Sequence, residues 1–279
     1  MRPDRAKPSV SGAALRLTSP QNPRVKEALR LRRRSHRDES DRMLVEGYRE
    51  ILRAVENGHR PLSVFFCPDL FLGGNEPDLL GRCREGGAEL VECSAPVFGK
   101  MSYRDRPDGL LAVAPQVRRA LGSLGVPRNA LLVVAESIEK PGNLGSILRS
   151  ADAAGTDAVI VCDRCTDINN PNVVRASIGA LFSVPVAEAP TRETLVWLRD
   201  RRIRILAATP HAKRLYTDVD LRTATAIVVG AEQYGLSSPW MEQADVAVRI
   251  PMKGQSDSLN GAAAATILLF EAVRQRGAA

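Results

Sequence analysis

Three loops in the second half of the chain concentrate side chains able to orient, polarise or ligate a substrate. The first reads Glu139-Lys140-Pro141-Gly142-Asn143-Leu144-Gly145 and leads to Arg149. The second is Gly230-Ala231-Glu232-Gln233-Tyr234-Gly235-Leu236, and the third is Ile250-Pro251-Met252-Lys253-Gly254, leading to Ser258-Leu259-Asn260. Amides, a hydroxyl, a carboxylate and a guanidinium offer hydrogen bonds and charge rather than a metal cage or a thiol nucleophile. Neither G-x-G-x-x-G nor G-x-x-x-x-G-K-[ST] occurs, so ordinary dinucleotide binding and P-loop phosphoryl transfer lose most of their support. Taken singly, each loop also has a purely structural explanation. Pro141-Gly142 turns the chain and Asn143 can cap the next helix, with Arg149 on its surface. Glu232 lies between two glycines after a buried strand, where a carboxylate either ligates something or caps a helix. Ser258-Leu259-Asn260 precedes the small residues of 261–265, where its polar groups can cap a helix.

The elements around these loops alternate. Short apolar runs predict strands at 130–135, 158–162, 203–208, 226–230 and 245–250. Helices are expected after Asn143, near 172–181, over 192–201 and over about 259–274. Buried strands alternating with helices predict a parallel sheet covered on both faces, with ligands bound at the loops that follow the strands.

The first half differs in charge and pattern. The chain has 279 residues and a net charge of +7. Residues 130–279 hold 16 Lys plus Arg against 16 Asp plus Glu, so the whole surplus, 23 against 16, lies in residues 1–129. The bases cluster at Arg24, Lys26, Arg30, Arg32, Arg33, Arg34 and Arg37, in and just after a helix expected over 18–34. A solvated helix face is one explanation. A phosphate-contacting surface is the preferred one, because clustered guanidiniums release counterions and grip a backbone bidentately. Apolar residues at Leu44, Val45, Ile51, Leu52 and Val55 approach helical spacing over 42–56. Strands are predicted at 62–67, 88–92 and 110–114, giving a small mixed α/β domain over 15–115. Residues 1–14 read as a disordered lead-in, 116–129 as a linker and 130–279 as the second domain.

The apolar stretch 262–270 is about half the roughly 20 residues of a membrane-spanning helix. No signal-peptide pattern follows Met1, so a cytoplasmic protein is expected. Five cysteines at 67, 83, 93, 162 and 165 form neither a disulfide framework nor paired zinc ligands, and Cys162-x-x-Cys165 is read as core packing. No metal is expected.

Taken together, the loops N-x-G-x-x-x-R, G-x-E-x-x-G-L and I-P-M-x-G-x-x-x-S-L-N resemble, in wording and order, the three motifs of the SpoU (TrmH) group of SPOUT RNA methyltransferases. Ser19-Pro20-Gln21-Asn22-Pro23, Glu46-Gly47 and Arg106-Pro107-Asp108-Gly109-Leu110 are similar to that family's ribosomal-protein-like RNA-binding module. The resemblance implies S-adenosylmethionine as cofactor, a trefoil-knotted C-terminal α/β domain, and a homodimer with active sites at the subunit interface. Thr209, Gly230, Ile250 and Leu259 would hold the cofactor. Asn143, Arg149, Glu232, Ser258 and Asn260 would form the catalytic neighbourhood, and Arg175 would contact RNA. The implied reaction is methylation of a ribose 2′-hydroxyl, with 23S ribosomal RNA preferred over transfer RNA. Arginine outnumbers lysine 33 to 6, as GC-rich coding would produce, and this is similar to actinobacterial ribosomal RNA methyltransferases that protect against ribosome-targeting antibiotics of the avilamycin or thiostrepton type. The competing expectations are an RNA-binding scaffold without activity and a base-methylating relative. Arginine is a poor proton acceptor, so Arg149 is expected to act as an electrostatic clamp rather than a base.

Overall fold

Buried apolar runs build two separate sheets in the computed structural model, which describes residues 15–277. The lead-in expected over 1–14 lies outside the described residues. Residues through Gln116, together with Asn169–Arg175, form one unit, and the rest from Val117 onward forms the other.

The first unit contains β1 (Leu15–Leu17), α1 (Pro23–Arg30), α2 (Arg34–Ser40), β2 (Arg42–Glu46), α3 (Tyr48–Glu56), β3 (Ser63–Phe66), α4 (Glu76–Glu85), β4 (Glu89–Cys93), α5 (Ala95–Met101) and β5 (Leu110–Pro115). Its mixed sheet has the order β1-β4-β3-β5-β2. One core of this unit packs Val25, Ala28 and Leu31 with Leu44, Phe65, Val91 and Leu111 of the sheet.

Three expectations are corrected here. The helix read over 18–34 is two helices separated by Leu31–Arg33. Asn22 caps α1 by accepting from the Arg24 amide at 2.9 Å, with Pro23 in the first turn. At its other end the Arg37 guanidinium donates to the carbonyls of Leu31 at 2.9 Å and Arg32 at 3.0 Å, replacing amides that a continuing helix would have supplied. Arg37 is 1% exposed, so it is a structural clasp and cannot be the RNA contact its charge suggested. Arg32 is likewise occupied, donating to the carbonyls of Met101 and Ser102, both at 2.8 Å. The helical spacing over 42–56 conceals a strand and a helix. Met43, Leu44 and Val45 are all buried in β2, and Gly47, at φ 115, turns the chain into α3. Arg37→Ala should destabilise the protein by about 2–4 kcal/mol, since the buried Leu31 carbonyl and the part-buried Arg32 carbonyl lose their donor and a buried side chain is removed. Urea unfolding of the whole chain reads this, and a loss under 0.5 kcal/mol would refute the clasp.

The second unit contains β6 (Leu131–Glu136), α6 (Pro141–Ala153), β7 (Ala158–Cys162), α7 (Pro171–Ser177), α8 (Ala180–Ser183), β8 (Val186–Ala189), α9 (Thr191–Asp200), β9 (Arg204–Ala208), β10 (Arg214–Leu215), β11 (Thr225–Val229), α10 (Ser238–Gln243), β12 (Val246–Arg249) and α11 (Gly261–Gly277). α7 straddles the division, with Pro171–Arg175 grouped in the first unit. Every named pairing in the sheet is parallel, in the order β10-β12-β9-β11-β6-β7-β8. β6, β7 and β11 are buried throughout, as a sheet covered on both faces requires. β8 and β10 were not foreseen: Val186–Ala189 and Arg214–Leu215 are too short to show a period. Leu121 and Leu124, within the stretch read as a linker, pack into this unit's core.

α11 packs against α6 through a face that buries Ala262, Ala265, Leu268, Leu269 and Ala272. Its far end is pinned by Arg276, which donates to the carbonyls of Leu221 at 2.9 Å, Asn129 at 2.8 Å and Thr223 at 2.7 Å. A helix fixed at one end in this way presents its N-terminus at a defined place. That N-terminus borders the candidate site. Among the described residues no helix is long and apolar enough to cross a membrane.

Candidate active site

The three polar loops follow β6, β11 and β12, at the C-terminal edge of the parallel sheet where a ligand finds open backbone groups. Their side chains converge on Glu232. Lys140 donates to one of its carboxylate oxygens at 2.7 Å. Asn143 and Asn260 both donate to the other, the latter at 2.7 Å, and the Asn260 amide nitrogen lies 3.1 Å from the Asn143 side-chain oxygen. Hydrogen bonding from Lys140, set against slight burial, holds the Glu232 carboxyl below its ordinary range. Glu232 therefore stays an acceptor for all three donors.

The helix ends explain these positions. Lys140, rather than Asn143, occupies the N-cap of α6, with Pro141 in the first turn. The expectation that Asn143 caps the helix is thus corrected: it sits within the first turn, which leaves its amide to reach Glu232. Asn260 does cap α11, its side-chain oxygen accepting from the Ala262 amide at 2.8 Å while its nitrogen serves the cluster. Glu232 caps nothing and ties the loops together.

The loop carrying Glu232 folds back sharply. Gly235 donates its amide to the Ala231 carbonyl at 2.9 Å and adopts φ 68. A methyl group at Gly230 would collide with the Gly235 carbonyl, so this position admits no side chain. The far end of the loop is fastened by buried Glu136 at the end of β6, which accepts from the Ser237 amide at 2.9 Å and hydroxyl at 2.5 Å.

Beside the cluster lies a cleft of about 850 Å³. Thr209, Gly230, Ile250 and Leu259, the four expected cofactor residues, line it together with Glu232 and Ser258. The Thr209 amide donates to the Val248 carbonyl at 3.0 Å, joining the loop after β9 to strand β12. Within the chain, then, Asn143, Glu232 and Asn260 meet at one point and Ser258 faces the cleft. Arg149 does not join them. It is exposed on α6 and its side chain makes no hydrogen bond or ion pair among the described residues, while the adjacent Ser150 contacts Thr266 of α11 at 2.7 Å. Arg175 is also exposed, on α7.

Two contributors escaped the sequence reading. Glu136 was visible as a carboxylate ending an otherwise apolar strand. Lys140 gave no signal, because its partner is remote in sequence. Burial pushes the Cys162 thiol up to about 12, and Cys162 packs in the core, in keeping with a structural role for half of the CxxC.

A family profile described as the SpoU rRNA Methylase family matches residues 130–270, and another, described as an MRM3-like substrate binding domain, matches residues 22–112. Over 273 residues the chain is 34% identical to a 23S rRNA (uridine(2479)-2′-O)-methyltransferase of Streptomyces viridochromogenes, covering 95% of this chain and 93% of that protein. A crystal structure described as an RNA 2′-O ribose methyltransferase matches with a TM-score of 0.79 and 43% identity, covering 94% of this chain and 99% of that one. The SpoU methyltransferase AviRb of Streptomyces viridochromogenes, solved in complex with AdoMet, matches with a TM-score of 0.84 and 32% identity over 92% of this chain and 100% of that one.

Proposed function

Because the chain belongs to the SpoU rRNA methylase family, we propose that it uses S-adenosylmethionine to methylate a ribose 2′-hydroxyl in RNA, with 23S ribosomal RNA as the substrate. The observation that carries this reading is the convergence of three separate loops on Glu232 beside a cleft lined by Thr209, Gly230, Ile250 and Leu259. The cleft fits a cofactor of that size: its volume lies in the range of small-molecule sites, and the turn that walls it is closed by bare backbone at Gly230 against Gly235, where no side chain fits.

The cofactor supplies an electrophilic methyl group on a sulfonium, and the chain's residues do the positioning. Transfer needs the 2′-oxygen in line with the bond being broken, so fixing both partners supplies much of the acceleration. Asn143, Asn260 and Lys140 hold Glu232 and with it the loop that walls the cleft. Ser258 orients the ribose from the cleft side. Arg149 binds the phosphate next to the target and polarises the 2′-oxygen; its guanidinium keeps its proton, and the hydroxyl proton leaves to solvent. Lys140→Gln removes the main influence holding the Glu232 carboxyl down, so its proton rebinds at higher pH. The acid limb of the rate profile should therefore move to higher pH while the plateau is retained. An unmoved limb would remove Lys140 from the account.

The finer features belong to the same proposal. The C-terminal part of residues 130–279 is threaded as a trefoil knot, and the chain acts as a cytoplasmic homodimer. Arg149 is exposed and makes no contact with the Glu232 cluster of its own chain, which fits completion of each site by a second copy. Arg175 contacts RNA at that shared site. Residues 15–115 grip the RNA through Arg24, Lys26, Arg30, Arg33 and Arg34, all of them exposed, and 116–129 connects the two parts. Protection of the ribosome from an antibiotic bound to the large subunit follows as a physiological role. Incubation with radiolabelled S-adenosylmethionine and either ribosomal RNA or transfer RNA tests the substrate: label in 23S RNA is expected, and label in transfer RNA alone would overturn it.

A further inference from the structure

One face of the N-terminal sheet is only partly covered. Ser63 and Phe65 are two apart on β3 and share that face, and Ser63 pairs with Val113 on β5 and Glu89 on β4. α1 crosses over them and leaves a groove of about 530 Å³ at the end of the sheet where β3 and β4 begin. Its floor is apolar, made by Phe65, Val113, Ala28 and Leu31, all buried. Its rim is basic, with Arg24, Lys26, Arg30 and Arg42.

The four cations are not equivalent. Arg24 lies 2.5 Å from Glu89, and Arg30 lies 3.5 Å from Glu27. Lys26 and Arg42 are exposed and have no ion-pair partner among the described residues. An apolar floor between uncompensated cations matches one chemistry closely: a flat aromatic base whose flanking phosphates carry negative charge.

We propose that this groove is a nucleotide subsite that takes one unstacked base of a single-stranded RNA segment, with Lys26 and Arg42 on the adjacent phosphates. The proposal rests on the RNA reading above and sharpens it from a charged helix face to a concave site. A base inside a duplex cannot enter, because its faces are stacked and its edge is paired, whereas a loop or bulge can splay one out. Single-stranded RNA is therefore preferred over duplex RNA, a distinction that phosphate attraction alone does not make.

The test uses the full chain and two probes of equal phosphate number, a single-stranded oligoadenylate and a paired RNA duplex, followed by fluorescence anisotropy. Ser63→Trp fills the groove without altering charge. It should weaken single-strand binding about tenfold, leave the salt dependence unchanged and spare duplex binding. Lys26→Glu with Arg42→Glu should weaken single-strand binding and flatten its salt dependence. Ultraviolet crosslinking of a 4-thiouridine-substituted oligonucleotide to the unmodified protein gives an answer even where Ser63→Trp perturbs folding, with adducts expected in residues 21–31 and 63–65. Unchanged single-strand affinity in folded Ser63→Trp, or adducts confined to other segments, overturns the subsite. Calorimetry with S-adenosylmethionine separates this from failure of the methyltransferase reading, since cofactor binding should be intact in all these variants.

Discussion

Arg149→Ala is expected to lower methyl transfer by about a thousandfold or more, while cofactor affinity and thermal unfolding stay at their normal values. Removing one preorganised charge aimed at a developing anion typically loses about a hundred- to a thousandfold in rate, and loss of the phosphate grip adds misalignment of the 2′-oxygen. The fold should be indifferent, because the Arg149 side chain is exposed and makes no hydrogen bond or ion pair among the described residues. Arg149→Lys should recover little, since a single ammonium cannot reproduce a planar, bidentate fork. Single-turnover rates with saturating RNA measure this directly. Turnover within tenfold of normal in Arg149→Ala would show that the clamp is elsewhere.

The second large effect concerns the cofactor. Gly230→Ala should abolish measurable cofactor binding, a loss of about a hundredfold or more. The added methyl group meets the Gly235 carbonyl and the Leu236 amide, both backbone, so no flexible side chain can give way. The loop between Gly230 and Ser237 must shift, and with it go the cleft wall and Glu232. The shift is resisted at the other end, where Ser237 is fastened to buried Glu136. Gly142→Ala is the matched control, because open space surrounds the methyl group there and the position is already helical. It should bind cofactor normally. Calorimetric titration reads both variants, and normal affinity in Gly230→Ala would mean that this turn does not shape the pocket.

Much of the catalytic half was legible because its signals are local. Unbroken apolar runs such as 130–135 and 158–162 can only be buried strands when turns bound them so closely, and the loops after them were the natural places for chemistry. The composition of the Glu232 cluster was legible too, but its wiring was not. Asn143 looked like a cap because amides often cap helices; Pro141 moved the helix start forward to Lys140 and left Asn143 free. Pairing between Lys140 and Glu232 depends on two strands being neighbours in the sheet, which no short window contains.

The N-terminal half misled for a different reason. Charge was taken as a sign of exposure, and Arg37 breaks that rule by spending its guanidinium on backbone carbonyls at the break between α1 and α2. Over 42–56, buried residues at Leu44, Val45 and Ile51 satisfy a helical period and a strand followed by a helix equally well, and the positive φ at Gly47 decides between them. The groove under α1 could not be read at all, because β3 and β5 bring Phe65 and Val113 to its floor from distant parts of the chain.

The expected product is a ribose ether and not a methylated base. Purified protein, S-adenosylmethionine and 23S ribosomal RNA should yield, after complete nuclease and phosphatase digestion and mass spectrometry, a nucleoside heavier by one methyl group whose fragmentation leaves that methyl on the sugar. A methyl retained by the base fragment, or no methylated nucleoside under conditions where the protein binds cofactor, would contradict the account.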